Sequence, residues 1–315
     1  MGESQSIART IISMIVIIAV IFGIYGVTKF AGNGVSADGE KIKITHKLGE
    51  TEVTKNPSRV IVFDYGIADA LNTLDVEIIG LPKSNLPSLL SKYEDGKYEN
   101  VGSLKEPDME KVYELKPDLI IMSGRLESYY EELNKIAPTI YLGVDNTDYL
   151  GSFKKNMETL GQIFDKEKEV KTQVAKVEEA IGKVNEKAEG VNALIALAND
   201  NAFSVYGEGS RFGIIHKEFG IEAVDKTIES STHGQKASFE YILDKNPDYL
   251  FVIDRAAVTG GNTSAKEMFD NEIIKKTDAY KNGNIVYLDA DVWYTISGGI
   301  ESTQKMVDEV LEALK

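Results

Sequence analysis

The chain has 315 residues, with 35 Lys and Arg set against 50 Asp and Glu, a formal net charge of −15. An acidic chain without basic clusters argues against nucleic acid or an anionic lipid surface as partner. It contains no cysteine, which excludes disulfides, thiolate zinc sites, iron–sulfur clusters, a cysteine nucleophile and a lipid-modified N-terminal cysteine.

Ile11 to Val27 is a nearly unbroken apolar run between Arg9 and Lys29. It reads as a signal peptide or an uncleaved anchor, and the anchor is preferred because the small-residue site Val35-Ser36-Ala37 lies well beyond the run. Either way the remainder is expected outside the cytoplasm. Gly32 to Glu40 reads as a tether. Lys41 to His46 alternates as an edge strand, and Thr51 to Thr54 is its expected partner. Arg59 to Phe63 is a buried strand, ended by Asp64-Tyr65-Gly66 and followed by a helix from about Ile67 to Leu74. Ile78 to Leu81 is a short parallel strand, Asn85 to Asn100 a polar surface loop, Met109 to Leu115 a helix and Thr139 to Leu142 a further strand.

Asp165 fits a helix N-cap. From there to about Lys187, apolar Val170, Val174, Val177, Ile181 and Val184 line one helical face. Such a helix spans on the order of 30 Å, enough to bridge two lobes. Asn192 to Ala198 and Ala202 to Tyr206 form a hairpin around Asn199-Asp200-Asn201. Gly207-Glu208-Gly209-Ser210-Arg211-Phe212-Gly213 carries a glycine spacing that is only a weak match to a nucleotide loop. Asn284 to Leu288 is the last strand. Asp289 to Gly299 follows as a loop with Trp293 and Tyr294 at its centre, and a helix from Glu301 to Leu314 closes the chain.

A repeat organises these elements. Glu110, Pro117-Asp118 and Arg125 recur as Glu240, Pro247-Asp248 and Arg255, each shifted by 130 positions. Both copies run from an acidic residue through an apolar helix and a Pro-Asp turn into a strand (Leu119 to Met122, Tyr249 to Ile253) and then an arginine. The fold class expected is α/β: two Rossmann-like lobes with mainly parallel sheets joined by a long backbone helix. The expected boundaries are 1–28 for the membrane anchor or signal, 29–55 for linker and edge strands, 56–164 for the N-terminal lobe, 165–188 for the connecting helix and 189–315 for the C-terminal lobe.

Only five arginines occur, and Arg125, Arg211 and Arg255 all follow strand-like runs. Ligands of open α/β sheets bind at the carboxyl ends of strands, and guanidinium forks match anionic oxygens. Three of them in one cleft would be poised for a polyanion. His233, in Ser231-Thr232-His233-Gly234, and Tyr294 are donors suited to iron; a lone loop histidine is more often solvated and a Trp-Tyr pair more often core. His46 and His216 are assigned to surface or packing. Tyr65, Tyr206 and Trp293 are candidates to stack on aromatic ligand rings.

From about Asn56 to its end the chain resembles the class III, iron-siderophore and cobalamin type, substrate-binding proteins of ABC transporters. The resemblance is carried by Pro57-Ser58-Arg59-Val60-Ile61-Val62, Val101-Gly102, the two Pro-Asp-strand segments and the connecting helix. It is strongest to the subset that binds ferric catecholates, including the petrobactin group. That subset implies a pocket of Arg125, Arg211 and Arg255 around catecholate oxygens. It also implies His233 and Tyr294 completing the Fe3+ shell of a tetradentate siderophore, and Glu110 and Glu240 docking on the permease. The implied function is capture of a ferric siderophore by a monomer, with no intrinsic cofactor and no turnover, and its delivery to a permease with its ATPase. Haem or cobalamin capture is the alternative, followed by an enzyme on a Rossmann-like scaffold. The family's usual lipidated cysteine is missing, so attachment falls to the apolar segment.

Overall fold

A computed structural model describes residues 39–231 and 233–315. The expected anchor and most of the expected tether lie outside the described residues. Glu40–Lys315 forms one compact unit. The alternating run at its start becomes β1 (Lys41–His46), which pairs antiparallel with β2 (Gly49–Thr54) and turns Ile44, Thr51 and Val53 inward.

The N-terminal sheet contains β3 (Val60–Val62), β4 (Gly80–Leu81), β5 (Glu99–Asn100), β6 (Leu119–Met122) and β7 (Thr139–Tyr141). Its order is β5-β4-β3-β6-β7 and every pairing is parallel. β3 and β6 are buried throughout, as strands covered on both faces must be. The C-terminal sheet contains β8 (Asn192–Asn199), β9 (Ala202–Tyr206), β10 (Glu222–Ala223), β11 (Gln235–Lys236), β12 (Tyr249–Asp254) and β13 (Ile285–Leu288). Its order is β11-β9-β8-β12-β13, with β10 also pairing to β8. β10, β8, β12 and β13 run parallel, and β9 and β11 add an antiparallel flank.

The repeat is structural as well as sequential. Helices Met109–Leu115 and Phe239–Lys245 are each capped by a side chain, from Asp108 and Ser238. Each ends on a left-handed residue, Lys116 (φ 46) or Asn246 (φ 43). The following aspartates then do the same work. Asp118 accepts hydrogen bonds from the backbone N–H groups of Ser58 and Arg59, and Asp248 accepts from the N–H of Asn192. Each carboxylate thus ties the entry of one central strand to the next.

The connecting helix is Glu167–Ala188, and its buried face holds Val170, Val174, Val177, Ile181 and Val184 as the spacing requires. Asp165 is not its N-cap. It sits at φ 53 as the C-cap of a preceding helix, Tyr149–Phe164, and its carboxylate is engaged by Asn56 and Lys55. That preceding helix lies in a stretch to which the sequence reading assigns no element. The stretch 85–100 also differs from a plain surface loop. It holds a helical turn, Ser88–Glu94, and β5, pinned by buried Leu90, Tyr93 and Tyr98.

The closing helix, Ile300–Ala313, packs on the connecting helix and on helix Tyr65–Thr73. Asp69 of the latter is fully buried and accepts from the Ser302 N–H and hydroxyl, both at 2.8 Å. A side chain at Gly66 would strike the Ser297 carbonyl at 2.3 Å, so only glycine permits this approach. One buried apolar cluster runs from Val60 and Leu119 through Val177 and Ile181 to Phe251 and Ile253.

Candidate functional site

Parallel strands send their following loops to one edge. The segments after β3, β6, β7, β12 and β13 supply Asp64-Tyr65, Gly124-Arg125, Gly143-Val144, Arg255 and Thr295. Arg125 sits in the turn Gly124–Tyr129, anchored by buried Leu126. Its guanidinium is exposed and has no hydrogen-bond or ion-pair partner among the described residues. It lines a cavity of about 380 Å3 together with Asp64, Tyr65, Tyr141 and, from the other lobe, Arg211 and Thr295.

Arg211 is held by a loop folded tightly on itself. A Cβ at Gly213 would fall 2.0 Å from the Glu208 carbonyl. The Ser210 hydroxyl donates to Gly207 O at 2.6 Å, and Phe212 is buried against Tyr206. These glycines serve the turn, not a nucleotide phosphate. Arg211 Nη2 donates to the Tyr294 carbonyl at 2.7 Å, and its guanidinium lies 4.4 Å from the Tyr294 ring centroid. Arg255 opens helix Arg255–Thr259, whose N-cap is Asp254. Its Nε donates to the Tyr294 hydroxyl at 2.7 Å and its Nη1 to Asn199 Oδ1 at 2.5 Å.

Tyr294 lies on a π-helical turn, Asp291–Thr295, a widened geometry frequent at functional sites. Burial alone would push its phenol up. The Arg255 hydrogen bond and the charges of Arg255, Arg211 and Arg125 outweigh that and lower its pKa. The cost of forming the phenolate, the form that coordinates a hard cation, is thereby reduced. The Arg211 guanidinium is lowered too, first by burial and also by Arg125. The partly buried Asp64 has its carboxyl raised by desolvation, against the pull of Ser123, Ile67 and Arg125.

The structure therefore gathers Arg211, Arg255 and Tyr294 into one contact and sets Arg125 across the same crevice. His233 is exposed in its turn, and no hydrogen bond or ring contact joins it to the other four. Neighbouring Ser230 and Ser231 do line the crevice. Glu110 and Glu240 are exposed in the first turns of their helices.

Two stacking candidates are corrected. Trp293 is 1% exposed and its indole N–H donates to Glu309 at 2.6 Å, so it is a core residue. Tyr206 is likewise buried against Phe212. Tyr65 reaches the cavity, but its hydroxyl is spent on Pro82 O and Ser84 O, and burial pushes its pKa to about 12. Tyr141, which the sequence reading passes over, is the half-buried aromatic of the crevice wall. Its position at the end of β7 was the available signal. His216 is buried with Nδ1 on Ile221 O, a packing role. His46 ends β1, next to the hairpin turn, and lines the edge of the crevice.

With this geometry in hand, comparison with known proteins is decisive. The periplasmic binding protein family matches residues 60–292. The chain belongs to that family. The petrobactin-binding protein YclQ of Bacillus subtilis (strain 168) is 46% identical over 303 residues, 94% of this chain and 96% of that one. The crystal structure of YclQ superposes with a TM-score of 0.85 at 48% identity, covering 88% of this chain and 99% of that one. The periplasmic catecholate-siderophore binding protein VctP of Vibrio cholerae gives 0.82 at 35% identity, over 86% and 99% of the two chains. The two-lobed α/β architecture with its connecting helix is the architecture of these proteins.

Proposed function

We propose that this protein captures a ferric catecholate siderophore between its lobes and hands it to an ABC importer. The observation that carries this reading is the crossing of lobes by charge. Arg211 and Arg255 converge on Tyr294 in one lobe, and Arg125 faces the same cavity from the other with no ion pair among the described residues. An empty site of this kind repels itself, and a chelate with several anionic oxygens relieves that repulsion. The named ligands of YclQ and VctP, petrobactin and a catecholate siderophore, support the same class.

In this reading Fe3+ is cargo. Tyr294 supplies a phenolate oxygen to a tetradentate complex, and His233 supplies the remaining donor. Glu110 and Glu240 meet basic pockets on the permease. Both lie on the edge where the parallel strands end, because a helix that precedes a parallel strand begins at that edge. The protein acts on the extracytoplasmic face, held there by its N-terminal apolar segment, and carries out no reaction.

Titration of the apo protein with ferric bis- and tris-catecholates, read by fluorescence of its single tryptophan and by visible absorption, tests the reading. Saturable quenching with a catecholate charge-transfer band is expected. A Soret band with haemin, and no response to any ferric catecholate, would replace it with haem capture.

A further inference from the structure

The crevice has a second arm, larger than the one at Arg125. It is a cavity of about 640 Å3, and it shares Arg211 and Tyr141 with the smaller arm. The N-terminal half supplies Thr45 and His46 at the end of β1, Lys47 of the hairpin turn, the loop after β7 and Lys155 of helix Tyr149–Phe164; the C-terminal lobe supplies Arg211, Ser230 and Ser231.

The charges of this arm do not cancel. Lys47 is paired with Glu127 at 2.7 Å. The Nδ1 of His46 accepts from the Leu48 N–H, which leaves Nε2–H to donate to Thr51, and burial lowers its pKa; this ring is neutral. Asp145 is the only acid lining the arm among the described residues. Its carboxylate accepts from the Thr147 N–H and hydroxyl at 2.8 and 2.7 Å, which lowers its pKa, with a smaller contribution from the charge of Lys217. Lys155 is exposed and its ammonium has no partner among the described residues. Arg211 donates to the Tyr294 carbonyl, a neutral acceptor. Lys155 and Arg211 against the single carboxylate of Asp145 thus leave one net positive charge facing a roomy polar cavity that opens directly beside the proposed chelate pocket.

Resting on the function proposed above, we infer that this arm seats an anionic group carried by the siderophore itself, of the carboxylate class, outside the iron shell. Lys155 is its charge partner and the residue that sets the preference. An apolar extension would leave the Lys155 ammonium without a partner, and a cationic one would be repelled. The arm therefore selects among ferric catecholates by what their linker carries.

The experiment uses two synthetic bis-catecholamide ligands, identical except for a linker carboxylate or the matching carboxamide. Both are loaded with Fe3+ and titrated into the wild type and into Lys155→Gln. The wild type is expected to favour the carboxylate form by about 5- to 10-fold, a discounted value for a partly solvated ion pair. The preference should fall to about 2-fold or less in Lys155→Gln. Equal binding of the two chelates by the wild type overturns this inference and leaves the proposed function standing. Binding of neither chelate overturns both. A rise in carboxamide affinity on adding free acetate or citrate would also overturn it, since the arm would then take a separate anion.

Discussion

Tyr294 is the residue on which the two arginines of the C-terminal lobe converge. Its hydroxyl accepts from Arg255, its carbonyl accepts from Arg211, and its ring lies under the Arg211 guanidinium. Tyr294→Phe removes only the oxygen. With a tetradentate ferric catecholate the charge-transfer band should shift, and with a hexadentate one it should not. An unchanged band in both would take the phenol out of the iron shell. The sequence shows Trp293 and Tyr294 as neighbours but not which way each ring faces. The π-helical turn decides that, sending the indole to Glu309 and the phenol to the guanidiniums. Arg125, Arg211 and Arg255 were legible because each follows a strand, a local signal. The place of Lys155 on the crevice wall was not, since only tertiary folding brings a hairpin turn and a mid-helix lysine to the same wall.

Among the elements, the repeat is the best-conserved piece of logic between sequence and structure. The shift of 130 positions carries helix onto helix, left-handed cap onto left-handed cap, and aspartate onto aspartate. Asp248 holds Asn192 through both its backbone N–H and its side-chain amide, partly buried. Asp248→Ala should cost about 1–3 kcal/mol, because it strands buried donors. Asp118→Ala, whose partners are exposed, should cost less. Urea unfolding measures both, and a larger loss at Asp118 would contradict the assignment. Helix Tyr149–Phe164 escaped the sequence reading even though its face buries Phe153, Met157, Leu160 and Phe164. The break at Asp165 was the cause. An aspartate before a polar helix start looks like an N-cap, yet in the left-handed region it ends the helix before it.

For the molecule as a whole, one apolar cluster continues from lobe to lobe, and the start of the closing helix is pinned to buried Asp69. Lobe motion should accordingly be small. Burial raises the Asp69 carboxyl to about 6, against the two bonds from Ser302. A folded pKa above the unfolded one means that the folded state holds the proton more tightly. The group's stabilisation is full below pH ~4 and is lost as pH rises through about 6. Asp69→Asn cannot ionise. Its stability relative to the wild type should therefore improve by about 2–3 kcal/mol between pH 4 and pH 7; a difference independent of pH would refute the linkage. Glu110 and Glu240 are exposed in the first turns of their helices, outside the lining of the crevice. Glu110→Ala with Glu240→Ala should leave siderophore binding intact and reduce uptake of iron by cells that depend on this protein. Normal uptake would discard the docking role.

The most direct measurement is calorimetric titration of one ferric catecholate into the wild type, Arg125→Ala and Arg255→Ala. Each variant removes a guanidinium from a different lobe. The account expects each to weaken binding by about 1.5–3 kcal/mol, the range for hydrogen bonds to charged groups. Full affinity in Arg125→Ala would contradict it, since the chelate would then be held by one lobe alone.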